Sequence, residues 1–89
     1  MNTTLLIPTV HRNGTNGTDL LEQITDARHA LRLAIKSLDN AAPNGRDYYT
    51  QGPSVVYEAI EQHFNRVKAL ESVYLELGQI ADGIVDQEK

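Results

Sequence analysis

Between Asn44 and Pro53 the chain reads Asn-Gly-Arg-Asp-Tyr-Tyr-Thr-Gln-Gly-Pro, the densest run of chemically capable side chains in its 89 residues. The Arg46 guanidinium is a planar fork that holds phosphate or carboxylate and stacks on aromatic faces. Tyr48 and Tyr49 are adjacent, so in an extended segment they point apart: one packs under the loop and the other is free to stack on a planar ligand. Asp47 and Gln51 can read donors and acceptors on the edge of such a ring. Asn44-Gly45 favours a tight turn with positive φ, which presents Arg46 directly after it. Arg46, Asp47, Tyr48, Tyr49 and Gln51 are therefore the first candidate site, suited to a small anionic, ring-containing ligand. The plainer alternative is a self-packed loop, in which Arg46 pairs with Asp47 or a later glutamate and both tyrosines cover a hairpin end.

A second candidate is the polar turn that begins His11-Arg12-Asn13 and runs through two Asn-Gly pairs to Thr18. Gly14–Gly17 leads into a helix N-terminus, where free N–H groups and the helix dipole favour an anion. The pattern matches neither a Walker loop nor a dinucleotide fingerprint. Asp19 and Glu22 already place negative charge there, so a plain turn competes with an anion site. A third feature is the row Arg28, Arg32 and Lys36, spaced by four on one helix face. Such like-charge neighbours cost a few tenths of a kcal/mol each unless neutralised. Ion pairs across helices or subunits to Glu58, Glu61, Glu71 or Glu76 are one way to do that, and an anionic ligand is another.

Catalysis finds little support. His63 lies mid-stripe between Ile60 and Val67, where a histidine is more often a hydrogen-bonded interior residue than a base or metal ligand. No His-x-x-x-His or Glu-x-x-His pair, no nucleophile elbow and no cysteine is present. The expectation is a protein that is not an enzyme and needs no metal or cofactor.

The elements that must position these residues are helices. Eighty-nine residues make one small domain, 1–89, with a modest core. Residues 1–18 read as an extended arm and turn: Thr3–Val10 is β-branched and apolar, but Pro8 suits an edge strand or a free arm. Helix 1 is expected over 19–42, opened by an Asp19/Glu22 capping box and carrying Leu20, Ile24, Ala27, Leu31, Ala34 and Leu38 as one apolar stripe. It must stop before Pro43. The loop 43–53 exceeds the roughly 2–8 residues that helix connections need. Helix 2 is expected over 54–86 with Ser54 as N-cap, and its stripe includes Val56, Ile60, Phe64, Val67, Leu70, Tyr74, Leu77, Ala81 and Ile84. Gly78 and Gly83 predict a bend or fraying in its last turns.

A second apolar flank on helix 2 (Val55, Ala59, Ala69, Val73, Ile80) is more than one partner helix can cover. The fold class expected is all-α: an antiparallel hairpin of two long helices with a short extended N-terminal arm, completed by homo-oligomerisation, most simply a four-helix dimer.

Composition narrows the functional classes. The net charge of −4 argues against general nucleic-acid binding. No run approaches the ~18 apolar residues of a membrane span. The start lacks a signal-peptide pattern, so the three Asn-x-Thr matches carry no glycosylation argument and a cytoplasmic location is expected.

Pro8-Thr9-Val10-His11-x-Asn13-Gly14-Thr15 and Asn44-Gly45-Arg46-Asp47-Tyr48-Tyr49-x-Gln51-Gly52-Pro53 resemble a group of small accessory proteins of tailed bacteriophages and prophages. In that group a Pro-Thr-Val-His-Leu-Asn-Gly-Thr start, a helix, an Asn-Gly/Ala-Arg-Asp-Tyr-Tyr loop and a second helix follow one another. The resemblance spans nearly the whole chain. Position 12 is Arg where the group has Leu, and residues 16–18 read as an added Asn-Gly-Thr. The resemblance implies a phage accessory protein acting in the host cytoplasm, with counter-defence as the analogous role.

Two functions follow as expectations. The first is non-enzymatic sequestration of a nucleotide-like signal, with the Asn44–Pro53 loop and the His11–Asn13 turn forming the pocket within one chain or across a subunit boundary. Arg46 would hold phosphate, Tyr48 or Tyr49 would stack on the base, and Gln51 or Asn13 would read its edge. The second is an interaction module that masks a host defence or phage protein. Geometry separates them: a sequestering site has Arg46 and a tyrosine converging on a concave pocket, whereas a masking surface presents them on a convex or flat rim.

Overall fold

The computed structural model describes residues 4–88, so the first three residues of the expected arm lie outside it. Two α-helices, α1 (Gly17–Asn40) and α2 (Val55–Asp86), form an antiparallel hairpin. The molecule measures 61 × 29 × 19 Å, and no strand occurs among the described residues. No described helix is long and apolar enough to cross a membrane.

Helix α1 starts two residues before the expected position because Asn16 is its cap. Asn16 Oδ1 accepts from the Asp19 N–H at 2.9 Å, and Asn16 Nδ2 donates to Asp19 Oδ2 at 3.1 Å. A side-chain acceptor at the N-cap satisfies one of the orphan donors of the first turn, so Asn-Gly-Thr-Asp serves as the start signal. Helix α1 also stops two residues early, with the Ala41 N–H donating to Leu38 O at 2.9 Å. Ahead of α2, Gly52 takes φ +128°, a conformation that L side chains rarely adopt. Ser54 precedes α2, but its hydroxyl makes no capping bond.

The faces that meet differ in part from the expected stripes. On α1, Leu20, Ile24, Leu31 and Leu38 turn toward α2, joined by Leu21, Arg28 and Ile35, while Ala27 and Ala34 are exposed. The larger side chains claim the centre of the interface, and alanines at its edge gain little from burial. On α2, Val55, Ala59 and His63 turn inward and Ile60 and Phe64 turn out. Helix α2 therefore does keep an uncovered apolar flank, but it is made of Tyr57, Ile60, Phe64 and Leu75. Val55, Ala59 and Ile80 of the flank expected from the sequence are half-buried, while Ala69 and Val73 are exposed. Ile84 is the one fully buried apolar side chain among the described residues.

Helix α2 runs unbroken past Gly78 and Gly83. Each admits a neighbour. A Cβ at Gly78 would come within 2.8 Å of the Arg28 guanidinium, and one at Gly83 within 2.8 Å of Ile7. The helix tolerates its poorest formers where another segment needs to approach the backbone. At this end the extended arm is held by one side chain: Gln87 Nε2 donates to Pro8 O at 2.7 Å, and the Val10 N–H donates to Gln87 Oε1 at 2.9 Å. The amide gives the arm both a donor and an acceptor, and no strand partner is needed.

Candidate functional site

The loop after α1 folds as two short 3-10 turns, Gly45–Asp47 and Tyr49–Gln51. Asn44 and Gly45 do not take the positive φ expected of them. Asn44 Oδ1 accepts from the Arg46 N–H at 3.0 Å, so the asparagine caps the first turn. This curl, not an extended segment, separates the two tyrosines. Tyr48 is half-buried, and Tyr49 is 73% exposed. The expectation of one tyrosine packed and one free holds through a different backbone.

Beneath the loop is a depression of about 300 Å³ whose lining includes Pro43, Tyr48, Gln51, His63 and Arg66. Two of the five loop candidates, Tyr48 and Gln51, thus share a concavity. Arg46, Asp47 and Tyr49 stand outside it, exposed on the hairpin tip. Arg46 forms no ion pair with Asp47 or with a glutamate of α2 among the described residues. His63 is half-buried and faces the depression; its imidazole makes no hydrogen bond among the described residues, unlike the interior histidine expected. Of Glu58, Gln62 and Arg66 on its α2 wall, only Glu58 was named from the sequence, as an ion-pair partner for the basic row. Their spacing by four, which sets them on one helix face, was the available signal.

His11, Arg12 and Asn13 form a turn closed by the Gly14 N–H donating to His11 O at 3.2 Å, with the imidazole folded over Gly14. All three are exposed. They precede α1, whereas the Arg46 loop follows it, so the 24 residues of α1, roughly 36 Å at 1.5 Å per residue, separate the two halves of the candidate site. Within one chain they do not meet.

The basic row also behaves unexpectedly. Arg28 is half-buried, its guanidinium carbon 3.9 Å from the centroid of the Tyr74 ring, and its Nε donates to Tyr74 O at 3.2 Å. It clamps α1 to α2 across Gly78. Each four-residue step turns about 40° around a helix of 3.6 residues per turn, so Arg32 and Lys36 rotate progressively away from α2. They line an open groove of about 750 Å³ with His29, Leu33, Glu71 and Tyr74. Among the described residues the row makes no ion pair with the α2 glutamates. No cluster of three His, Asp or Glu side chains gathers as a metal site there.

Comparison with protein-family models, with curated proteins and with solved structures gives no match for this chain.

Proposed function

We propose that this chain is a non-enzymatic accessory protein that acts by occupying a protein partner, with the Arg46–Asp47–Tyr49 tip as its contact. The resemblance of its two motifs to phage accessory proteins makes a host defence protein or another phage protein the partner class. One observation carries the reading: Arg46 and Tyr49 are both exposed on the hairpin tip, and neither lines the depression beneath the loop. Arginine and tyrosine are the side chains most often found as anchors of protein interfaces. A second reading, sequestration of an anionic ring-containing signal, is favoured by the depression in which Tyr48 and Gln51 lie beside Arg66 and His63. There Arg66 takes the phosphate-holding role first given to Arg46.

The two readings separate by variant. Capture of a host or phage protein should be lost in Arg46→Ala/Tyr49→Ala and kept in Arg66→Ala. Thermal-shift screening against nucleotides and cyclic oligonucleotides should show no stabilisation. A nucleotide that raises the melting temperature of the wild type but not of Arg66→Ala overturns the first reading in favour of the second.

A further inference from the structure

We infer that this chain pairs with a second copy of itself along the exposed flank of α2, antiparallel and in one register. From Tyr57 to Asp82 the residues at 57, 61, 64, 68, 71, 75, 78 and 82 advance by alternating steps of four and three. Such steps keep residues in one seam along a helix, and here Tyr57, Phe64 and Leu75 are its apolar members, set among charged ones. It is not the seam that faces α1: Tyr57 is 70% exposed, Phe64 58% and Leu75 61%. Lys68 and Glu71 are exposed as well, and the Lys68 ammonium lies 5.2 Å from the centre of the Phe64 ring, along the same flank.

The seam is self-complementary about its midpoint. Lys68 mirrors Glu71, and Phe64 mirrors Leu75. A twofold axis there sets Lys68 of each copy against Glu71 of the other, and Phe64 of each against Leu75 of the other. An isologous interface needs this kind of self-complementarity. A parallel pairing sets lysine on lysine and glutamate on glutamate, and like-charge juxtaposition costs several kcal/mol.

The basic row supports the same register independently. Glu61 mirrors Gly78, the position with no side chain of its own, over which the Arg28 guanidinium lies. A glutamate from the second copy would approach the Arg28 guanidinium that covers Gly78, with Arg32 on the same row, and neither arginine meets an acid of its own α2. It would supply the neutralising charge that the row lacks within one chain.

The register also completes the split candidate site. Its midpoint lies near the middle of α2 (Val55–Asp86), so two copies overlap almost end to end. The Arg46–Gln51 loop of one copy then lies at the end that carries His11–Asn13 of the other, at both ends of the dimer. Residues that one chain holds roughly 36 Å apart, by the length of α1, are brought to the same end of the dimer. This inference goes beyond the partner-binding reading and does not depend on a foreign partner.

Sedimentation equilibrium on the full chain tests it. Lys68→Glu alone and Glu71→Lys alone should each weaken dimerisation about tenfold or more, and Lys68→Glu/Glu71→Lys should restore it, because the swap preserves the antiparallel pairing. Dimerisation that ignores both single variants, or a double variant that stays weak, overturns the register while leaving the tip reading intact. Since both single variants could also disturb folding, a second measurement fixes the geometry. The chain has no cysteine, so Phe64→Cys and Leu75→Cys chains can be mixed under mild oxidation. Mixed disulfide dimers should exceed either homodimer severalfold, and a statistical distribution contradicts the inference.

Discussion

Arg28 shows how one side chain can reverse the meaning of a pattern. In the sequence it belongs to a row of like charges that calls for neutralisation. In the fold it spends its guanidinium on the Tyr74 ring and carbonyl, and so fastens one helix to the other. Arg28→Ala should cost about 1–3 kcal/mol, from a cation–π contact and a charged hydrogen bond that are both partly shielded from water. Chemical denaturation measures it, and Arg28→Lys should recover only part of the loss because an ammonium lacks the fork. Arg46→Ala is the contrasting case. An exposed side chain with no partner of its own typically changes stability by less than about 0.5 kcal/mol, so the melting temperature should stay within about a degree or two. An unfolded Arg46→Ala would make the loop a structural feature. That one of Tyr48 and Tyr49 packs while the other stays exposed was legible from their adjacency; the place of Arg66 in the depression was not, because it depends on where the loop folds back over α2.

At the level of the elements, both helices were legible because an apolar residue every three or four positions has few other solutions. Their boundaries were less so. Asn16-Gly17-Thr18 has the composition of a turn, and only the Asn16 bond to the Asp19 N–H turns it into a start. Asn16→Ala should therefore cost about 1 kcal/mol, read as a drop in denaturation midpoint. Which apolar residues face inward was legible only in part. Periodicity defines a stripe but not which edge of it a partner will cover, and Phe64 and His63 are neighbours in sequence that part to opposite fates. Ile84→Ala should be the costliest single truncation, at roughly 2–5 kcal/mol, since it empties the most enclosed position in the hairpin. Half-buried Leu31 should lose less, about 1–2 kcal/mol, in proportion to the area it removes from water.

As a whole molecule the hairpin is two helices thick and encloses little. Two packed layers normally surround a shared core, yet among the described residues one apolar side chain is fully buried and Tyr57, Ile60, Phe64 and Leu75 lie uncovered on one flank. A fold of this shape gains stability by covering that flank, and the mirrored order of Phe64, Lys68, Glu71 and Leu75 suits a second copy. That α2 would keep an uncovered apolar flank was readable from the width of its apolar arc. Which residues make up that flank was not, because that required knowing where α1 docks. The most direct test is the mass of the wild-type chain by sedimentation equilibrium across low to high micromolar concentration, with far-UV circular dichroism on the same samples. Twice the 9.9 kDa chain mass with a predominantly helical spectrum is the expected result. A stable helical monomer throughout that range would contradict it.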